Sequence, residues 1–190
     1  MFKTNIFGLE YLKEKAKFCT RCPLHKSRTN SVFDRGNPEA QIMILGESPG
    51  FNEDIEGKPF VGKAGKLLDE ILKEINISQD KTYITNIVKC RPPDNRQPEE
   101  IEITTCYNHF LSQQIKIIQP KIIITLGNIA TQIFLGKEKK ITEIRGNIFQ
   151  FKDFLIIPTF HPAYILRNPH KRNIILNDFK KIKLTYETYL

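Results

Sequence analysis

Apolar residues along the chain fall into two patterns that alternate: short continuous runs, and stripes at helical spacing. Gln41 to Leu45 (QIMIL), Tyr83 to Val88 (YITNIV), Lys121 to Leu126 (KIIITL) and Phe154 to Ile157 (FLII) are the runs. Runs this short and rich in Ile predict strands buried on both faces, as in a parallel sheet. Between them lie the stripes: Leu67, Leu68, Ile71, Leu72 and Ile75 within Ala64 to Ile75, then Ile103, Cys106, Phe110 and Ile117 within Glu99 to Gln119. Asn128 to Leu135 and the C-terminal series Ile174, Ile175, Phe179, Ile182 and Tyr186 continue them. Each predicts a helix that lays one face on a sheet, and Pro98 suits the first turn of the second one.

Residues 7–18 predict a further helix, 31–37 are polar and turn-prone, and Ile141 to Phe151 predicts a hairpin turning at Gly146-Asn147. Strands alternating with helices over this length predict an α/β fold: a single three-layer α/β/α domain over residues 1–190 with a central, mainly parallel, four-stranded sheet. No repeat, low-complexity tract or linker interrupts it.

Composition changes this picture little. An apolar fraction of 40% and a charged fraction of 26% suit a soluble globular chain, and no apolar stretch approaches membrane-spanning length. The opening MFKTNIFGLEYLKEKAK mixes charge with apolar residues, which reads as an amphipathic helix and not a signal peptide, so a cytoplasmic protein is expected. Lys and Arg outnumber Asp and Glu by 29 to 21, and the net charge of +8 suits a polyanionic partner. A lysine-rich genome produces the same excess, so the placement of the basic residues carries more weight than their sum.

Cys19 and Cys22 form a C-x-x-C pair, and Cys90 and Cys106 follow far down the chain. In a reducing compartment two distant pairs suit a metal site better than disulfides. Four thiolates fit structural zinc or an iron–sulfur cluster, and spacing does not choose between them. Either would staple the N-terminal helix to the middle of the chain.

The most informative stretch is Ile42 to Gly65, IMILGESPGFNEDIEGKPFVGKAG: a strand, a loop rich in Gly and acid, then a helix. In α/β sheets ligands bind beyond the carboxyl ends of strands, which puts Glu47, Ser48, Asp54 and Phe60 at the expected active edge. His161 leaves the last strand at that same edge, in TFHPAYILRNP, with Arg167 and the basic run His170-Lys171-Arg172 close behind. Basic residues there suit phosphates.

Five blocks in order, CTRCPL from Cys19, GESPG from Gly46, GKPFVGKAG from Gly57, TNIVKCRPP from Thr85 and HPAYILRNP from His161, resemble the family 4 uracil-DNA glycosylases, the iron–sulfur branch of that superfamily. The resemblance covers nearly the whole chain. It implies a monofunctional enzyme of base excision DNA repair that flips uracil out of double- or single-stranded DNA and hydrolyses its N-glycosidic bond. It also implies a structural 4Fe-4S cluster on Cys19, Cys22, Cys90 and Cys106, in a monomer whose partner is uracil-containing DNA.

By the same resemblance Glu47 and His161 are catalytic, and Gly46, Ser48, Phe60 and Asn86 bind the base. Phe60 stacks on uracil, while Asn86, whose amide both donates and accepts, reads its O4 and N3–H. His161 donates to O2 as negative charge develops there, and Glu47 orients a water or steadies the cationic sugar. Ile165 or Leu166 wedges the stack, and Arg167 and Lys171 hold phosphates. Family 4 members usually carry Ala or Gly where Ser48 stands, and better-known uracil-DNA glycosylases place a catalytic Asp there. Without an activating neighbour Ser48 is no base, so the carboxylate role passes to Glu47, with Asp54 and Glu53 as further candidates. The alternative reading is a non-catalytic iron–sulfur DNA-binding protein associated with replication.

Overall fold

The structure, a computed structural model, describes residues 2–189, with side chains from 6 to 188. One sheet holds six strands: β1 (Arg35–Gly36), β2 (Ile42–Gly46), β3 (Thr82–Asn86), β4 (Ile122–Leu126), β5 (Phe149–Phe151) and β6 (Phe154–Thr159). Their order is β1-β3-β2-β4-β6-β5. The inner four run parallel and coincide with the four apolar runs. β1 and β5 add antiparallel at the two edges, so the sheet is wider than the expected four strands. Both edge strands are too short or too exposed to carry a continuous apolar signature.

The helices are α1 (Phe2–Lys17), α2 (Phe51–Glu56), α3 (Lys63–Glu74), α4 (Glu100–Cys106), α5 (Ser112–Ile118), α6 (Asn128–Leu135), α7 (Ile141–Ile144), α8 (Pro162–Arg167) and α9 (Arg172–Tyr189). A π-helical turn, Tyr107–Leu111, joins α4 to α5. Successive strand residues point to opposite faces. Ile42, Ile44, Ile122, Ile124 and Ile157 pack under α3 and α9 against Leu68, Ile71, Ile175 and Phe179. Met43, Leu45, Ile123 and Ile156 meet Leu9 and Leu12 of α1, Phe110 and Phe134 on the other side. Truncating one of these buried Ile residues to Ala costs about 2–5 kcal/mol. Among the described residues no helix is long and apolar enough to cross a membrane.

Two local expectations need correction. Residues 141–151 are not a hairpin: Ile141–Ile144 is helical, and Gly146, at φ 70°, turns the chain out of that helix while its N–H donates to the Pro158 carbonyl. The hairpin is β5–β6, and it turns at Lys152-Asp153 with Lys152 at φ 51°. The stretch between β2 and α3 is also not all loop, because Phe51–Glu56 forms α2.

Candidate active site at the carboxyl edge of the sheet

The four parallel strands end at one rim, and a cavity of about 560 Å³ opens there. It is lined by Glu47 and Ser48 after β2, Asn86 at the end of β3, Gly127 and Asn128 after β4, and His161 after β6. Phe60 and Arg167 complete it from the α2–α3 connection and from α8. The acid, aromatic ring, amide and imidazole singled out from the sequence therefore meet around one space.

Each is held for a local reason. Asn86 pairs with Gly46 in the β2–β3 register and is 2% exposed, yet its Oδ1 has no hydrogen-bond partner. Phe60 adopts φ 55°, a left-handed conformation that a side chain makes costly. Two contacts impose it. A Cβ on Gly65 would sit 1.8 Å from the Phe60 carbonyl oxygen, so the start of α3 presses directly on that backbone. The Glu53 carboxylate accepts from Val61 N (3.0 Å) and Gly62 N (2.8 Å) just beyond it, and from Gly50 N (3.1 Å). The Phe60 and His161 rings lie 5.8 Å apart, tilted by 32°.

His161 caps α8: its Nδ1 accepts from Ala163 N at 3.1 Å, so the neutral ring carries its proton on Nε2. Burial, reinforced by the nearby Arg167 cation, pulls its pKa down to about 4, against a smaller opposing pull from Glu53. Burial pushes the Glu47 carboxyl above the ordinary carboxylate range. Among the described residues no side chain hydrogen-bonds to Ser48, so nothing activates its hydroxyl.

Other expected residues stand elsewhere. Asp54 is buried away from the cavity, where its carboxylate accepts from Thr29 N and Asn30 N and fastens that segment to α2. Glu53 borders the cavity, but its oxygens are spent on the three backbone amides above. Ile165 is 2% exposed and belongs to the core, because a six-residue helix lying on α3 must bury one side; Leu166, 44% exposed, is the member of that pair that faces solvent. Lys171 donates to the Tyr164 hydroxyl behind the cavity wall. Gly46 contributes by lacking a side chain, as the space beside it is filled by Asn86 and Phe60. Asn128, Tyr164, Asn95 and Gln97 also line the cavity and were missed. For Asn128 a signal existed, since it follows the third core strand as directly as Glu47 follows the first.

Cys19, Cys22, Cys90 and Cys106 line a second, small cavity between the end of α1 and α4, beside Lys89 and Phe110. Among the described residues no three metal-binding side chains converge closely enough to hold a single ion. Burial raises the Cys22 and Cys90 thiols and pushes Cys106 up to about 12. Arg28 Nη1 donates to Cys90 Sγ at 3.1 Å and Lys89 N to Cys106 Sγ at 3.3 Å, contacts that favour thiolates. Lys89 also braces the strand end that carries Asn86: its fully buried Nζ donates to Thr85 Oγ1 (2.7 Å) and to the Asn86 carbonyl (2.5 Å).

The pattern of the Uracil DNA glycosylase superfamily matches residues 33–183. The chain is 49% identical to a type-4 uracil-DNA glycosylase of Sulfurisphaera tokodaii over 93% of its own length and 84% of the relative's. Against proteins of the same name from Thermotoga maritima and Saccharolobus solfataricus it is 48% and 46% identical, covering 93% and 85% of those chains. With so much of each chain matched and the cavity residues gathered at one rim, the chain belongs to the uracil-DNA glycosylase superfamily and, within it, to the type-4 uracil-DNA glycosylases.

Proposed function

We propose that this chain is a single-domain, monomeric and cytoplasmic DNA-repair enzyme that extrudes uracil from double- or single-stranded DNA and hydrolyses its glycosidic bond, leaving an abasic site. One observation carries the reading. Asn86 Oδ1 is a buried acceptor without a donor, a state that costs about 1–3 kcal/mol and that a ligand N–H would relieve. Uracil offers N3–H to that oxygen and O4 to the amide N–H of the same side chain. Cytosine reverses both polarities and would leave two buried groups unpaired, which is how such a site rejects it strongly.

The chemistry follows from the neighbours. As the C1′–N1 bond breaks, its electron pair goes to the uracil ring, and O2 gains negative charge. A neutral His161 with its proton on Nε2 donates to that oxygen without first having to lose a proton. Glu47, as carboxylate, offsets the positive charge on the sugar and orients the water whose oxygen bonds to C1′; the O–H bond that breaks gives up a proton that ends on the departed uracil anion. Phe60 stacks on the extruded base, Leu166 enters the gap it leaves, and Arg167 steadies a phosphate.

The four cysteines, gathered around one small cavity, are a donor set that would hold a 4Fe-4S cluster, and the two N–H donors on sulfur suit bound thiolates. What the group supplies when bound is a tie between α1 and the segment 90–106; excision is left to the residues of the first cavity.

The test is an oligonucleotide carrying a single uracil, incubated with the chain and then with alkali. Strand cleavage is expected with U opposite A, U opposite G and single-stranded U, and not with thymine, hypoxanthine or cytosine. Tight binding with no cleavage in any context would instead establish the non-catalytic, replication-associated alternative.

A further inference from the structure

We infer that Phe51, backed by Arg91, is a stacking platform for the nucleobase next to the flipped one on the same strand. The inference rests on the reading above and adds a second base subsite to it. Phe51 is the first residue of α2 and keeps 58% of its surface in solvent, although Gly50 immediately before it lines the cavity. The Arg91 guanidinium lies 5.2 Å from the centre of its ring. Arg91 Nε in turn donates to Asn95 Oδ1 at 2.8 Å, and Asn95, like Gly50, lines the cavity. Phe51, Arg91 and Asn95 therefore form an unbroken rim running from the uracil pocket outward.

Single exposed rings are ordinary on a protein surface, and Phe7 and Phe18 are more exposed still; Phe51 is set apart by the guanidinium over its ring and by its place beside the cavity lining. A guanidinium beside an exposed ring at the edge of a DNA pocket is the combination that single-stranded nucleic-acid sites use. The ring takes a base by its π-face, and the cation adds attraction to ring and phosphate. Phe51 directly follows a residue of the cavity lining, so the base it meets is the one adjoining the extruded nucleotide. Every base has a π-face, so this subsite grips without reading sequence and serves unpaired strands best.

The test uses the full chain, single-stranded oligonucleotides containing 2′-fluoro-deoxyuridine, whose fluorine slows cleavage, and fluorescence anisotropy. Three strands are compared: intact, and with a baseless spacer on the 5′ or on the 3′ side of the uracil. Phe51→Ala, an exposed position whose folding is checked by circular dichroism, is expected to weaken binding of the intact strand on the order of tenfold. Phe51→Tyr is expected to match the wild type. One spacer, on one side only, should weaken the wild type by the same factor and leave Phe51→Ala unchanged. Unchanged affinity in Phe51→Ala, losses that multiply when variant and spacer are combined, or a wild type insensitive to both spacers would overturn the proposal. Excision by the wild type is scored separately on ordinary uracil strands, so a chain that shows the spacer effect without cleaving refutes the enzymatic reading and not this one.

Discussion

Gly46 and Asn86 face each other across the β2–β3 ladder, and a Cβ on Gly46 would lie 2.3 Å from Asn86 Oδ1 and 2.6 Å from the Phe60 ring. The Asn86 amide and the Phe60 ring thus share a wall that only a hydrogen atom fits. Gly46→Ala must displace one or both. Excision is expected to fall by about a hundredfold or more, as misplacement by about 1 Å does in other sites. The strand itself tolerates Ala, so circular dichroism should be unchanged. Wild-type turnover in that variant would mean that the pocket does not hold the base here.

His161 is expected to stay neutral through the working range, because burial and Arg167 hold its pKa at about 4 against an ordinary 6.5. Its protonation should therefore leave no step in the rate between about pH 5 and 8. For stability the sign runs the other way from a salt-bridged histidine. The unfolded chain takes up the proton first, so the contribution is whole above 6.5 and is lost as pH falls toward 4. His161→Ala should flatten that slope in melting temperature. It should also cut excision by about 10²–10³ with little loss of DNA affinity. Equal losses in excision and affinity would make the residue a scaffold.

Glu47 has the opposite linkage. Burial raises its pKa, so the folded chain holds this proton more tightly than the unfolded one. Its contribution is favourable at low pH and is eroded as pH rises through the raised value. Glu47→Gln should melt higher than wild type at pH 7 while excising about 10²–10⁴ times more slowly. A variant that melts lower would show that the carboxylate has a partner that stabilises it.

Leu166 separates duplex from single strand. Filling the gap left by an extruded base matters only where the base was stacked and paired, which is worth a few kcal/mol per step. Leu166→Ala should lose about tenfold on U in duplex and almost nothing on single-stranded U. Ile165→Ala should instead lower the melting temperature, because that side chain is core. Identical losses on both substrates would dismiss the wedge.

The cysteines make a prediction that does not depend on activity. The purified chain should contain iron and sulfide, and Cys106→Ser should lower the melting temperature by several degrees, since ligand binding and folding are coupled at such sites. Excision by the intact protein should run at one rate whether the cluster is oxidised or reduced. A rate that follows reduction would give the group a role in the reaction.

The four parallel strands were legible because Ile-rich runs leave little choice: no other element buries both faces in five residues. The edge strands were not, as Arg35–Gly36 joins the sheet by backbone pairing alone and has no side-chain pattern to read. Gly146-Asn147 misled because a positive φ serves a hairpin turn and a helix exit equally well. Among site residues, Glu47, Asn86 and His161 stand at or just past the carboxyl ends of strands, and the sheet rule places them. Asp54 lies only seven positions beyond Glu47, but its partners are the amides of Thr29 and Asn30, and nothing local announces so distant a contact. Ile165 and Leu166 are adjacent and chemically alike. Which of them faces the core depends on how α8 sits against α3, a tertiary fact.

One carboxylate, that of Glu53, ties Gly50, at the turn that carries Glu47, to Val61 and Gly62, beside the Phe60 ring. Floor and wall of the chamber are in effect a single casting. A lineage altering this chamber could not widen it by trimming one side chain; it would have to remake the brace, the left-handed residue and the glycine under it together, and such coordinated change is a physical reason for the shape to persist.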